Sequence, residues 1–452
     1  MSQPAPITLV VLGVSGDLAG RKLLPALYWL EAAGRLPEEF RIVGAARREV
    51  TQEGLAATVR QYVGDDLEEA VLERLQARMQ IVRMDSGNPD DYDGLFAALK
   101  VAEGEAEGAI RLLYLSVPPA VAGKITGAFA KVGLNDPLGV TTRLLMEKPF
   151  GSDLASAEVL ADQLHAAFRE DQLYRIDHYV AKTVAQNILP VRAGHMAVRD
   201  RWDAHHIERI EIDALEAIGI EGRADFYEQT GALRDLIQSH LLALMSLTMM
   251  EPLAQPGAAE LHEQRQRLLA AVPALETAEL NQRALRGQYE GYREEVKNPD
   301  SHTETFARLE LNVGTPRWQG VPVVLTTGKG LAAKLTEIRV YFKAGSGDKA
   351  GDEQAPRCLR FRLQPDEAIE LEHRDGIVET LELDYGDLAP FGSHQPDGYE
   401  RVLLEAMAGD QTNFTSNDEV LATWRIVEPV LRTWLRDGEG LKLYPFGSEG
   451  SA

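Results

Sequence analysis

The segment Arg175-Ile176-Asp177-His178-Tyr179-Val180-Ala181-Lys182 sets an imidazole, a phenol and an ammonium within a few residues of one another, behind an apolar start at Leu173. His178, Tyr179 and Lys182 are donors of the kind that together hold one phosphate group, with Lys182 about one helical turn beyond the pair. For an isolated His-Tyr pair, a half-buried and satisfied histidine is the plainer alternative. A second element weighs against it: Asp235-Leu-Ile-Gln-Ser-His240, in a helical pattern after Gly231. A histidine removes a hydroxyl proton near neutral pH, and a buried carboxylate from another element can orient its ring. Asp235 and His240 lie five apart, so on an α-helix they do not stack on one face, although both can lean towards a cleft between domains.

A separate cluster points to a dinucleotide. Gly13-Val14-Ser15-Gly16-Asp17-Leu18-Ala19-Gly20 follows the apolar run 7–13 and precedes an amphipathic stretch over 21–33, which reads as strand, tight turn, helix. Glycines at such a turn let the backbone approach a pyrophosphate, which the helix N-terminus attracts. The spacing is not GxGxxG, and a merely structural turn is the alternative. The second strand ends in Arg47-Arg48, where an NAD-selective site would carry an acid for the ribose 2′-hydroxyl. Paired guanidiniums suit a 2′-phosphate, so NADP is the expected cofactor and NAD the weaker alternative. Two solvated arginines at a strand end are the competing reading.

The elements that must position these residues fall into two grammars. Up to about residue 150, strands (7–13, 41–46, 81–84, 111–117, 143–147) alternate with helices (21–33, 52–62, 68–78, 92–100 and one ending at Lys131), which predicts a doubly wound parallel sheet of Rossmann type. From about Glu208, runs at 307–313, 321–327, 337–342, 359–363, 369–373 and 380–383 follow one another without helices between them. They predict an α+β domain with a large, mainly antiparallel sheet, covered on one face by helices at 226–250, 258–271, 398–407 and 418–436. The boundary is placed between about 190 and 207, giving an expected dinucleotide-binding domain at 1–195 and a substrate-binding and dimerisation domain at 196–452. Residues 345–356 read as a hairpin loop rich in Gly, Asp and Lys.

Composition excludes several classes. With 47 Lys plus Arg against 70 Asp plus Glu, the chain of 452 residues carries a net charge of −23, and nucleic acid is not an expected partner. A phosphorylated small molecule would need lysines gathered locally against that background. The single cysteine, Cys358, forms no internal disulfide, residues 1–6 offer no signal peptide, and no apolar stretch is long enough to span a bilayer; a cytoplasmic location is expected. Adjacent His205-His206 lack Cys or acidic partners at ligand spacing, so no metal is expected.

Beside these readings, the residues resemble the glucose-6-phosphate 1-dehydrogenase family, from about Ile7 to Tyr444. The markers are Gly13-Val-Ser-Gly-Asp-Leu-Ala19 with Arg21-Lys22-Leu23; Glu147-Lys148-Pro149-Phe150-Gly151; Tyr174-Arg-Ile-Asp-His-Tyr179 with Lys182; Gly231-Ala-Leu-Arg-Asp-Leu-Ile-Gln-Ser-His240; and Thr327-Gly-Lys329-Gly-Leu-Ala-Ala-Lys334. The resemblance implies that His240 is the base that takes the C1 hydroxyl proton and that Asp177 holds and polarises it. It implies that His178, Tyr179 and Lys182 bind the sugar phosphate and that Lys148, Glu216 and Asp235 contact the sugar hydroxyls. Lys329 and Lys334 would complete the cationic side. Gly13, Ser15, Gly16, Asp17, Leu18, Lys22, Arg47, Arg48, Ser116 and Lys148 would meet the cofactor, with Arg47 at the 2′-phosphate. A homodimer or homotetramer, often formed through the sheet, is implied as well. The chain departs from the family at Gly20, Ala181, Thr183 and Gly330 and in its tail after Tyr444. Those departures leave open a relative acting on another aldose or sugar phosphate, or a weakly catalytic NADP-binding paralogue.

Overall fold

The computed structural model describes residues 5–104, 108–118, 121–255, 257–344, 355–386, 388, 394–436 and 440–450. The chain gathers into two compact units: Met1–Gly151 with Ala155–Ala181 and Tyr385–Asn417, and Ser152–Leu154 with Lys182–Asp384 and Asp418–Ala452. Residues 182–195, expected with the first domain, cluster with the second unit, and residues 385–417 cluster with the first. Apart from Ala355 and Pro356, the expected loop at 345–356 lies outside the described residues.

In the first unit, β1 (Ile7–Leu12), β2 (Phe40–Ala46), β3 (Met79–Arg83), β4 (Ala109–Leu115), β5 (Val140–Met146) and β6 (Leu173–Ile176) form a parallel sheet in the order 3-2-1-4-5-6. The late two-residue strand Phe414–Thr415 adds antiparallel to β6. This is a doubly wound, Rossmann-type order, and its strands read as near-continuous apolar runs because both faces are covered. The period of two along β1 shows it: Leu9 and Val11 join a core with Leu27, Tyr28 and Val402, while Val10 and Leu12 join another with Leu95 and Phe129. The helix Gly398–Ala408 belongs to the first of these cores through Val402, Leu403 and Ala406.

The second unit is built on nine strands. They are β7 (Ile207–Leu215), β8 (Ala284–Tyr289), β9 (Phe306–Leu311), β10 (Val323–Gly328), β11 (Leu335–Phe342), β12 (Pro356–Gln364), β13 (Ala368–His373) and β14 (Val378–Leu381); with Phe414–Thr415 counted as β15, the last is β16 (Leu441–Tyr444). Their order is 14-13-12-11-7-10-9-8-16, antiparallel except at β7/β10 and β8/β16. The mainly antiparallel sheet is as expected. Ile210, Ile212, Ile338 and Val340 are buried, while the intervening Arg209, Glu211, Arg339 and Tyr341 pair with one another. β8 escapes the pattern reading because its polar residues are buried: Arg286 donates to the Trp434 carbonyl at 2.8 Å and Gln288 to that of Thr303 at 2.9 Å.

The single helix expected over 226–250 is three segments: Ala224–Ala232, a π-helical Leu233–Leu241, and Leu242–Met249. Gly231 breaks the first from the second with φ 67°, and a Cβ there would enter the space of the Glu304 carboxylate. That carboxylate accepts the Leu233 N–H at 3.0 Å, giving the new helical segment a cap that its own sequence lacks. The π-helical segment packs against β7, β9 and β10.

Candidate active site

In the first unit the sheet order reverses between β1 and β4, which is where a doubly wound sheet opens a crevice at the carboxyl ends of its strands. Gly13 stands there with φ 88°, its N–H donating to the Ala45 carbonyl at 2.9 Å. A Cβ at Gly13 would collide with the Ser116 carbonyl, so only glycine lets the two strand ends close. The Gly16 N–H donates back to Gly13 at 2.8 Å, turning the chain towards a π-helical turn, Ala19–Leu23. Ser15 and Asp17 are exposed and Leu18 half-buried; Asp17 pairs with Arg21 at 2.7 Å. Ser116 Oγ, across from Gly16, is buried with no hydrogen-bond partner among the described residues. Arg47 and Arg48, just past β2, are exposed and make no hydrogen bond or ion pair among the described residues. A backbone cradle, an unsatisfied buried hydroxyl and two uncommitted guanidiniums fit a phosphorylated dinucleotide.

The ends of β5 and β6 carry the next group. Lys148 is half-buried, and Glu147 before it receives the hydroxyls of Tyr114 and Tyr399. Burial pushes the Glu147 carboxyl up to about 7, with the two phenols and Lys148 pulling the other way and Asp177 adding to the rise. Asp177 is buried and accepts the Tyr179 N–H at 2.9 Å, which folds the chain after β6 into a tight turn. His178 and Tyr179 follow as a half-buried pair with ring centroids 5.0 Å apart. Lys22 donates to Asp397 at 3.0 Å, at the N-cap of Gly398–Ala408.

In the second unit, Lys182 is the N-cap residue of the short helix Thr183–Gln186. Glu216 and Lys329 follow β7 and β10, the one parallel pair near the sheet's centre, so their carboxyl ends lie side by side: Gly328 is in register with Leu215. Lys329 is buried, ion-paired with Glu216, and its ammonium lies 5.3 Å from the centroid of the Tyr227 ring. Burial, then Asp235, with Glu304 and Glu216 further contributors, holds the Tyr227 phenol well above its ordinary range. Asp235 is half-buried and His240 is 1% exposed, both on the π-helical segment. The expectation that residues five apart diverge assumed an α-helix. A π-helix closes its turns i→i+5, which brings Asp235 and His240 towards one face. Lys334, by contrast, is exposed and makes no hydrogen bond or ion pair among the described residues, so nothing joins it to the Lys329 pair.

The departures have local explanations. Gly330 has φ 62°, and the Phe446 ring occupies the space a side chain there would take. At Gly20, a Cβ would press on Thr58. Ala181 and Thr183 are buried, so neither offers a polar group to solvent. At His205-His206 the sequence reading missed an acid: Asp203 accepts from His206 Nδ1 at 2.8 Å.

The family model described as the glucose-6-phosphate dehydrogenase NAD-binding domain matches residues 10–187, and that for the C-terminal domain matches residues 189–452. The chain belongs to the glucose-6-phosphate dehydrogenase family. Among curated members of that family, the glucose-6-phosphate 1-dehydrogenase of Mycolicibacterium smegmatis is 37% identical over 98% of this chain and 94% of its own length. That of Gluconobacter oxydans is 36% identical over 99% and 95%. Among solved structures of the family, the Mycobacterium avium enzyme matches at 32% identity and TM-score 0.80 over 99% and 96%. A glucose-6-phosphate dehydrogenase in complex with glucose 6-phosphate matches at 27% identity and TM-score 0.88 over 100% and 97%. No helix among the described residues is long and apolar enough to cross a membrane.

Sequence reasoning missed Tyr114, Tyr227, Tyr399 and Asp397. The three tyrosines lie within apolar patterns that read as core. Asp397 had a signal, since Asp397-Gly-Tyr-Glu400 is a capping box.

Proposed function

We propose that this chain oxidises glucose 6-phosphate at C1 to 6-phosphogluconolactone, the entry step of the pentose phosphate pathway, with NADP as hydride acceptor. The observation that carries this reading is a buried imidazole, His240, on a helix packed against the strands whose ends hold the Lys329–Glu216 pair. An alcohol that loses hydride from carbon must also lose its hydroxyl proton, and a sheltered neutral imidazole is suited to take it. The nicotinamide, when bound, accepts the hydride.

His240 takes the proton of the C1 hydroxyl on a ring nitrogen as the C1–O bond becomes a carbonyl, and Asp177 serves that base. Glu216, Asp235 and Lys148 bind sugar hydroxyls, His178, Tyr179 and Lys182 bind the phosphate, and Lys329 completes the cationic side. Lys334 adds positive charge. Gly13, Ser15, Gly16, Asp17, Leu18 and Ser116 form the cofactor turn, with Lys22 and Lys148 beside it. Arg47 and Arg48 favour a 2′-phosphate because neither pairs with a carboxylate among the described residues. NAD is the weaker alternative. The paired Arg and Glu face of the second sheet suits an interface between copies in a homodimer or homotetramer, and a cytoplasmic location fits the family.

Steady-state assays with glucose 6-phosphate, free glucose and neighbouring sugar phosphates, each with NADP and NAD, test the reading. Highest kcat/KM with glucose 6-phosphate and NADP is expected, together with about a 10- to 100-fold loss for NADP in Arg47→Ala/Arg48→Ala. No turnover with any sugar would overturn it.

A further inference from the structure

Residues 385–417 cluster with the first unit, and two of them, Gly398 and Tyr399, lie against His178. The helix Gly398–Ala408 begins against the turn after β6. A Cβ at Gly398 would lie 2.7 Å from the His178 carbonyl oxygen and 3.4 Å from the Ala181 Cβ, so the helix start is pressed onto that turn. Tyr399, next in the chain, is 5% exposed, and its ring lies near-parallel to the His178 imidazole, with centroids 5.9 Å apart and planes inclined by 23°. Tyr179 flanks the same imidazole at 5.0 Å and 58°.

The Tyr399 ring is itself fixed. Its hydroxyl reaches the Glu147 carboxylate, which also takes the Tyr114 hydroxyl, and Lys22 Nζ lies 5.9 Å from its centroid. A ring tied at its hydroxyl end by a carboxylate cannot swing away from the imidazole without breaking that bond. An imidazole with two aromatic rings close to it has less freedom to turn, and a donor already oriented loses less entropy when an anion arrives.

We propose that Tyr399 is a positioning residue for substrate binding, fixing the His178 imidazole in the orientation that meets the sugar phosphate. The proposal rests on the reading of His178 as a phosphate ligand. The ring performs this task and the hydroxyl only anchors it, so removing the ring and removing the hydroxyl have separable consequences.

The test compares wild type, Tyr399→Leu, Tyr399→Phe and Gly398→Ala by steady-state kinetics with glucose 6-phosphate, together with the inhibition constant of inorganic phosphate against that substrate. Tyr399→Leu is expected to raise the KM for glucose 6-phosphate about tenfold, equivalent to about 1.4 kcal/mol, with kcat within about twofold. The phosphate inhibition constant should rise by the same factor. Tyr399→Phe, which keeps the ring but loses its tie to Glu147, should leave both constants between those of wild type and those of the Leu variant. Gly398→Ala, whose Cβ would press on the His178 carbonyl, should move both in the direction of the Leu variant, and it carries the test alone if Tyr399→Leu does not fold by circular dichroism. The proposal is overturned if KM rises without the phosphate constant, if the loss appears in kcat, if Phe is as impaired as Leu, or if Gly398→Ala changes neither constant. A wild type that does not oxidise glucose 6-phosphate would instead overturn the functional reading beneath it.

Discussion

Two π-helical segments carry candidate site residues, Ala19–Leu23 in the first unit and Leu233–Leu241 in the second. Each follows a glycine in left-handed backbone, Gly13 at φ 88° and Gly231 at φ 67°. Such turns are rare and recur at functional sites. Their surroundings differ sharply. On the first, Arg21 and Lys22 are solvated and held by Asp17 and Asp397, in ion pairs whose side chains are 33% to 73% exposed. On the second, Leu233, Ile237, His240 and Leu241 are all buried. Water and salt screen the first, so its charges contribute modestly and gain importance only when a ligand brings charge of its own. The second withholds its imidazole from solvent. One departure from α-helical geometry thus carries an exposed charge cluster in one place and a sheltered imidazole in the other.

The sharpest way to break this contrast is at the sheltered base. His240→Asn should lower kcat by about 10²- to 10⁴-fold while glucose 6-phosphate still binds by isothermal titration calorimetry. Equal turnover in the variant would remove the base assignment.

Next comes the entry to the buried segment. Gly231→Ala forces a Cβ onto the Glu304 carboxylate and a left-handed backbone onto alanine, and should cost about 1–3 kcal/mol or more in thermal unfolding. An unchanged melting temperature would mean that the break between the helical segments is not held by this glycine.

The first unit has its own sheltered group, Glu147, and here the effect depends on pH. Burial raises its carboxyl from 4.5 to about 7, with Tyr114, Tyr399, Lys148 and Asp177 facing it. As pH rises from about 4.5 to 7, the unfolded chain gives up this proton before the native one, so native stability falls across that window and levels off above it. Glu147→Gln lacks that penalty. Denaturant unfolding should show the stability of Gln minus wild type increasing between pH 5 and about 7, and a gap independent of pH would contradict the assignment.

The smallest effect belongs to the exposed turn. Asp397→Asn keeps a capping side chain but removes the charge facing Lys22, and should cost less than about 1 kcal/mol, shrinking further in high salt. A loss of several kcal/mol would show that the Lys22–Asp397 pair is not the screened contact described above.

Much of this was legible in the sequence because glycine-bounded apolar runs mark strand ends, and Gly13, Arg47, Lys148 and Asp177 all sit just past one. The Lys329–Glu216 pair was not legible from the residues themselves. It depends on β7 and β10 running parallel inside an otherwise antiparallel neighbourhood, which no local pattern encodes. The π-helical turn was hidden for a related reason: its i→i+5 closure leaves the same residue types in the same order, so spacing alone put Asp235 and His240 apart. Leu242–Met249 is buried all round and therefore carries no amphipathic stripe to fix its bounds. Tyr399 carried no signal in the sequence, because its place in the core and beside the His178 ring depends on where the helix Gly398–Ala408 packs.

In the proposed reaction C1 of glucose 6-phosphate loses hydride and its hydroxyl proton passes to His240. Glucose 6-phosphate deuterated at C1, incubated with the enzyme and NADP, tests it directly by mass spectrometry of the reduced cofactor. One deuterium is expected on the nicotinamide of NADPH formed by wild type, and His240→Asn should form the same labelled NADPH about 10²- to 10⁴-fold more slowly. Unlabelled NADPH, or deuterium released to solvent, would contradict it.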